Sequence, residues 1–138
     1  MRIVAEHLNY TYNPGSPFAS AALKDVSLTV EEGEFFGIIG HTGSGKSTFV
    51  QHLNALLRVP TSLKKYRKKR KSPPSNTVLK VGDFDLTDKK TDFNALRSEV
   101  GMVMQYPEYQ LFAETVFEDV AFGYKNFAPE KPTKEQVE

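Results

Sequence analysis

An eight-residue motif constrains the fold of this chain more than any other feature. Gly40-His41-Thr42-Gly43-Ser44-Gly45-Lys46-Ser47 fits the pattern G-x-x-x-x-G-K-[ST] at every position. The apolar residues 35–39 precede the motif and an amphipathic stretch follows it, as expected for a strand, a loop and a helix. Its glycines let successive N–H groups converge on phosphate oxygens at the positive end of that helix. The motif therefore predicts a nucleotide-binding loop in an α/β fold.

The end of the motif predicts how the nucleotide is held. Lys46 would place its ammonium at the β and γ phosphates, the Ser47 hydroxyl would ligate Mg²⁺, and Thr48 is well placed for the α phosphate. His41 sits at a variable position of the loop. The alternative, a glycine-rich turn with an accidental Lys-Ser pair, is disfavoured by the strand before it and the helix after it. We expect a nucleotide with Mg²⁺ at residues 40–48.

The composition of the chain excludes several classes of site and of protein. The 138 residues, 39% hydrophobic and 25% charged, are typical of one soluble globular domain. With no cysteine, the chain has no disulfide framework, thiolate metal site or cysteine nucleophile. Apolar runs last only a few residues, whereas a membrane-spanning helix needs about 20. A role at a membrane would therefore come through a partner.

A basic insert is predicted at residues 61–75. The net charge of +1 conceals it, because seven of the eight residues 64–71 are Lys or Arg. We interpret it as a solvated surface loop in preference to a contact with anionic lipid or nucleic acid. Tyr66 alone is too little for a base-stacking platform, so a nucleic-acid partner is disfavoured.

Hydrophobic periodicity predicts the strands. Polar and apolar residues alternate around Leu8, Tyr10 and Tyr12, and again in residues 25–31, as in half-buried strands. Residues 35–39 and 100–104 are apolar on both faces, which predicts buried parallel strands. Residues 78–86 are predicted to form one further strand.

Helices are predicted by spacing and by their boundary residues. The apolar residues that recur at helical spacing after Ser47 predict about three turns, ended by Pro60: Phe49, Leu53, Leu56 and Leu57. A short helix is expected at residues 92–99. Thr115 and Glu118 have capping-box spacing before a helix that should end at Gly123, and residues 133–136 repeat that spacing. His7 and His52 are predicted to lie on polar faces.

With these motifs the chain resembles the ATP-binding subunits of ATP-binding-cassette transporters, in particular importers of the energy-coupling-factor type. The segments that carry the resemblance are residues 8–12, 22–28, 40–48, 100–107, 110–112 and 115–123. The resemblance implies a P-loop core with a parallel sheet plus an antiparallel subdomain. It also implies that residues 1–138 are the N-terminal part of the nucleotide-binding domain, truncated before its helical subdomain is complete.

The resemblance also implies roles for single residues. Tyr12 would stack on adenine, with Tyr10 as the fallback, although spacing alone favours ordinary strand packing for either tyrosine. Gln105 would correspond to a glutamine that approaches Mg²⁺ and the γ phosphate. Lys46 and Gln105 would then be catalytic, and Ser47 and Gln105 would be the metal ligands. From the sequence alone, a surface amide at the end of a strand is equally compatible with Gln105.

Partners follow from the resemblance as well. The motor would be a dimer with a second ATPase subunit. A transmembrane coupling subunit would dock on the stretch from Tyr106 to Phe122, where Tyr109, Leu111 and Phe112 would be partly exposed; for Phe117 we favour a place in the core. A substrate-binding membrane subunit would be reached indirectly, and the location would be the cytoplasmic face of the membrane.

The chain departs from the family after Gln105. The Leu-Ser-Gly-Gly-Gln signature, the strand ending in Asp-Glu and the switch histidine do not occur in the remaining residues. We therefore expect ATP binding that serves micronutrient import, of a vitamin or a metal ion, but no useful hydrolysis by these residues alone. Two alternatives stay open: a P-loop kinase acting on a small molecule, and a non-catalytic nucleotide-binding fragment.

Overall fold

The computed structural model describes residues 1–60 and 76–127. The chain divides into two compact units, Met1–Val100 and Gly101–Glu138. The predicted basic insert at residues 61–75 lies outside the described residues, as does the second capping-box spacing at residues 133–136.

The first unit is built on an antiparallel sheet. Its strands are β1 (Ile3–Tyr12), β2 (Ser20–Val30), β3 (Val78–Val81) and β4 (Phe84–Asp85), in the order β2-β1-β3-β4. Every pairing between these four strands is antiparallel. The described part of this unit also contains the helices α1 (Lys46–Leu53) and α2 (Phe93–Glu99).

A hydrophobic core joins the sheet to both helices. Leu8 of β1, Leu79 of β3 and Leu96 of α2 are fully buried, and Phe49 of α1 packs in the same cluster. Burying a side chain of this size stabilises the folded state by about 1.5–3 kcal/mol. The core therefore ties α1, which follows the glycine-rich loop, to the central strands of the sheet.

A pair of bulges shifts the alternation of β1 and β2 by one residue. His7 and Asp25 both adopt left-handed backbone conformations, with φ of 50° and 54°. The register slips at the same place, where Ala5 pairs with Leu28 but Leu8 pairs with Val26. The His7 Nδ1 lies 2.7 Å from the Asp25 Oδ1 and holds the two bulges together. Because alternation restarts there, Tyr10 and Tyr12 share the face of Leu8.

Two predicted strands differ in the structure. Neither residues 35–39 nor residues 100–104 form a strand, and the side chains of Phe35 and Ile39 are 100% and 95% exposed. A buried parallel strand needs a neighbouring strand and cover on both faces. Among residues 1–60 and 76–127, no strand pairs with either segment. The α/β class and the antiparallel layer are thus observed, and these two strand predictions are wrong for the residues described.

Other boundaries differ by a local turn. The strand predicted over residues 78–86 is the β3–β4 hairpin, which turns at Gly82 with a φ of +56°. The first helix ends at Leu53, well before Pro60, because Ala55 takes a left-handed conformation with a φ of 54°. The helix expected at residues 92–99 is confirmed as α2, and its first turn is capped by the Asp92 carboxylate.

The second unit contains a short 3₁₀ helix (Pro107–Gln110) and α3 (Val116–Phe127). The predicted cap by Thr115 is confirmed, since Thr115 Oγ1 accepts from the Glu118 N–H at 3.2 Å. The Glu118 carboxylate accepts from the Thr115 hydroxyl at 3.0 Å, whereas in a full capping box it accepts from the backbone N–H. The predicted stop at Gly123 is wrong, because α3 continues to Phe127. A glycine inside a helix costs only about 1 kcal/mol relative to alanine, and the surrounding turns continue through it.

Candidate functional site

The glycine-rich loop makes a tight turn directly into α1. Gly43 and Gly45 both have positive φ, of 82° and 93°, which places both residues in the left-handed region. The Phe49 N–H donates to the Gly45 carbonyl at 2.9 Å, so helical hydrogen bonding begins at the end of the loop. A Cβ on Gly45 would lie 2.5 Å from the Ala22 carbonyl oxygen of β2. Glycine is therefore required at residue 45 by both conformation and space.

The Lys46 ammonium lies over the loop that precedes it. Its Nζ donates to the carbonyls of Gly40 at 2.7 Å and His41 at 2.9 Å, and it lies 3.4 Å from the Ser44 Oγ. These contacts hold the positive charge of Lys46 against the glycine-rich loop, at the N-terminus of α1. A cation and a helix N-terminus at one place favour an anionic ligand.

The residues around Lys46 differ in accessibility. Ser47 is exposed, so its hydroxyl is accessible, whereas the Thr48 side chain is buried. His41 is exposed and its Nδ1 lies 2.8 Å from the Thr42 carbonyl oxygen. Among residues 1–60 and 76–127, no group of three or more His, Cys, Asp or Glu side chains could hold a metal ion.

Two tyrosines at the end of β1 stand beside α1. The Tyr12 ring is 36% exposed and meets the Tyr10 ring edge-on, with centroids 5.0 Å apart. The Tyr12 hydroxyl is hydrogen-bonded to the Thr48 Oγ1 at 3.1 Å. Burial, together with the neighbouring Tyr12 phenol, raises the pKa of Tyr10 above its ordinary value. An accessible aromatic ring is thus fixed directly to the helix of the glycine-rich loop.

His52 occupies the core, and its predicted place on a polar face is wrong. Its side chain is fully buried, with Nδ1 2.7 Å from the Thr48 carbonyl oxygen and the ring edge-on to Tyr10 at 4.7 Å. Because a carbonyl only accepts, Nδ1 carries the proton, and Nε2 has no hydrogen-bond partner in the described part of the chain. Its position three residues after Phe49, on the same helix face, is the sequence signal that could have revealed this burial.

Burial of His52 makes stability depend on pH. Desolvation lowers the pKa of His52 below its ordinary 6.5, partly opposed by the bond to the Thr48 carbonyl. Below pH 6.5 the unfolded chain therefore binds a proton that the folded chain does not yet accept. We expect the contribution of His52 to the free energy of unfolding to be constant above this pH and to fall as the pH drops below it, measured by urea denaturation at a series of pH values. His52→Phe should flatten the slope, and an unchanged slope would contradict this origin.

The remaining predicted site residue lies in the second unit. Gln105 is exposed and precedes the 3₁₀ helix, where the rings of Tyr106 and Tyr109 lie 5.8 Å apart. The Met104 N–H donates to the Gln110 side-chain oxygen at 3.3 Å. The Gln105 side chain is thus exposed, and its approach to Mg²⁺ stays a prediction.

Apolar side chains cover the surface of the second unit. Tyr109, Leu111 and Phe112 are exposed, as predicted. Phe117 is 44% exposed, so its predicted place in the core is wrong. The reason lies in α3, where the buried position of this helix is taken by Ala121 and the larger side chains face outward. None of the helices in the described residues is long and apolar enough to cross a membrane.

Comparisons with known proteins identify the family of this chain. The family described as ABC transporter matches residues 23–138. The energy-coupling factor transporter ATP-binding protein EcfA2 of Symbiobacterium thermophilum is 54% identical over 126 residues, covering 91% of this chain and 38% of that protein. Proteins of the same name from Caldanaerobacter subterraneus subsp. tengcongensis and Clostridioides difficile are each 46% identical, covering 99% and 95% of this chain and 43% and 40% of their own lengths.

The chain thus spans about two fifths of the length of these relatives. Its match to the family nevertheless includes the glycine-rich loop, α1 and the second unit. The resemblance found in the sequence is confirmed, and the chain belongs to the ABC transporter family.

Proposed function

We propose that this chain is the part of an energy-coupling-factor transporter ATPase that binds ATP with Mg²⁺, and that the whole protein uses ATP to drive uptake of a micronutrient, a vitamin or a metal ion. One observation carries the proposal. The left-handed loop at Gly43 and Gly45 enters α1 with the Lys46 ammonium over it, while the accessible ring of Tyr12 is tied to the same helix through Thr48. A positively charged loop at the start of a helix thus lies beside an aromatic ring, which supports the proposal.

The donor set of the loop fits a triphosphate. Gly43 has no atom within 4 Å of the position a Cβ would take, so its backbone is open to a close ligand. Lys46 would exchange its bonds to the Gly40 and His41 carbonyls for the β and γ phosphates, since phosphate oxygens make stronger, charge-assisted bonds with an ammonium. The N–H groups of residues 41–48 would complete the phosphate contacts.

Mg²⁺ and the adenine base would be held by different residues. The exposed Ser47 hydroxyl would ligate Mg²⁺, and Gln105 would be the glutamine that approaches the metal and the γ phosphate. Bound Mg²⁺ would neutralise charge that develops on the phosphates during transfer. Tyr12 would stack on adenine, for which the face of a ring needs no base-specific hydrogen bond. Hydrolysis is proposed for the whole protein.

The proposed partners are those of a transporter motor. A second ATPase subunit would form the dimer. A transmembrane coupling subunit would dock on residues 106–122, supported by the exposed Tyr109, Leu111 and Phe112, and would link the dimer to a substrate-binding membrane subunit. The protein would then lie at the cytoplasmic face of the membrane as a peripheral subunit.

Equilibrium binding of ATP with Mg²⁺ to the full-length protein, by titration calorimetry, tests the proposal. Lys46→Ala should weaken binding by about 10- to 150-fold, because hydrogen bonds to charged groups contribute about 1.5–3 kcal/mol. Lys80→Ala, which removes an exposed lysine of β3, is the matched control and should bind as the wild type does. Equal affinity of the two variants would contradict the phosphate site, and phosphorylation of a small metabolite would favour a kinase.

A further inference from the structure

Four residues form a closed ring of contacts between β1 and α1, three of them between side chains and one to a main-chain carbonyl. Tyr12 is hydrogen-bonded to Thr48, whose carbonyl accepts from His52; His52 meets Tyr10 edge-on, and Tyr10 meets Tyr12 edge-on. Two of these residues are on the strand and two are on the helix. Because the ring is closed, the angle of the Tyr12 side chain is set from two sides, by its hydroxyl and by its ring edge.

His52 is costly as a filler of this space. Its ring is fully buried and its Nε2 is left without a partner within residues 1–60 and 76–127. A buried nitrogen without a partner destabilises a fold, and an apolar side chain of similar size would avoid that cost. What an apolar side chain would not supply is the Nδ1 bond that fixes the ring against the Thr48 carbonyl, 2.7 Å away. The bond therefore orients the imidazole ring that Tyr10 meets.

We propose that His52 is a positioning residue for the nucleotide base: anchored to Thr48, it supports Tyr10, and Tyr10 holds Tyr12 at the angle required to stack on adenine. The inference rests on the proposed binding of ATP at this site. It assigns His52 no contact with the nucleotide. Its influence on the base passes through the two tyrosine rings. Because its bond is to the Thr48 carbonyl and not to Lys46 or to a loop N–H group, we expect the phosphate contacts to change less than the contact with the base.

The distinguishing measurement is affinity for ATP compared with affinity for inorganic triphosphate, each with Mg²⁺, in the full-length protein. His52→Phe removes the bond to Thr48, and His52→Asn keeps a nitrogen donor but removes the ring edge that meets Tyr10. Each should weaken ATP binding by about three- to tenfold, which lies toward the lower end of the coupling expected between residues in contact. Binding of inorganic triphosphate should change less than about twofold.

Two further variants separate positioning from general loss of stability. Val81→Ala opens the same core in β3 and should lower stability while leaving the ratio of the two affinities unchanged. Tyr10→Leu removes the middle ring, leaves His52 in place and should reproduce the loss for ATP alone. It also keeps the test decisive if the His52 variants fail to fold. In a Tyr12→Ala background, substitution of His52 or Tyr10 should have no further effect on ATP binding.

The possible results separate the inference from the proposed function. Equal losses for ATP and inorganic triphosphate, or a loss that persists in the Tyr12→Ala background, would overturn the positioning role. If ATP binds and Lys46→Ala weakens it, but the variants of His52 and Tyr10 leave the affinity ratio unchanged, this inference alone fails. A wild-type protein that does not bind ATP overturns both.

Discussion

Leu79→Ala should lower the free energy of unfolding by about 2–5 kcal/mol, as large-to-small substitutions in protein cores do. Leu79 is fully buried in β3, opposite Ala5 of β1, and its carbonyl accepts from the Leu86 N–H at 2.8 Å. Truncation removes apolar contacts and leaves a cavity between strands held by paired hydrogen bonds. Since domains are stable by about 5–15 kcal/mol, much of the protein's stability would be lost.

Urea denaturation followed by circular dichroism measures this loss. Leu56→Ala is the matched control, because the Leu56 side chain is 50% exposed and its truncation removes less buried surface. We expect a clearly lower midpoint for Leu79→Ala and a midpoint close to that of the wild type for Leu56→Ala. Coincident transitions for the two variants would show that the sheet does not depend on the β3 core.

Gly45→Ala should be the most harmful alanine substitution among the glycines of residues 37–45. At a φ of +93°, alanine pays about 1–2 kcal/mol for the left-handed conformation. Its Cβ would also stand 2.5 Å from the Ala22 carbonyl oxygen, which is backbone of β2 and has little room to move. The combined effect should separate the loop and α1 from the sheet, lowering both stability and affinity for ATP.

Two neighbouring glycines divide this effect into its parts. Gly43 has a similar φ of +82° but no atom within 4 Å of the position of a Cβ, so Gly43→Ala should show only the conformational cost. Gly37 has neither a positive φ nor a close atom, and Gly37→Ala should be nearly neutral. The expected order of stability loss, by thermal unfolding, is Gly45, then Gly43, then Gly37. Equal losses at Gly45 and Gly43 would exclude the clash with Ala22.

Local signals predicted much of the fold. Alternation around Leu8 and Val26 anticipated β1 and β2, and caps at Asp92 and Thr115 accompany α2 and the start of α3. These features depend on residues close together in sequence. Alternation could not show that the two strands slip by one residue together at His7 and Asp25, because the slip depends on contacts between the strands.

Features that depend on distant packing were less predictable. The apolar pattern of residues 35–39 predicts a strand that packs against other elements on both faces. It does not indicate which elements those are. At the site, the tight turn of the loop into α1 was predictable because the motif is local. The stacking role of Tyr12 rests on the resemblance and stays a prediction. The burial of His52 depends on Tyr10, which lies 42 residues away in the sequence and meets it only in the fold.

The paired bulges at His7 and Asp25 limit how the length of this hairpin can vary. Loss or gain of one residue between Leu8 and Tyr12 would turn the Tyr12 ring to the opposite side of the sheet, since neighbouring side chains of a strand alternate. The turn between β1 and β2 is under no such constraint, because residues 13–19 connect the strands without pairing between them. Variation in length is therefore expected to accumulate in that turn, while the count of residues from the bulge to the tyrosine is preserved.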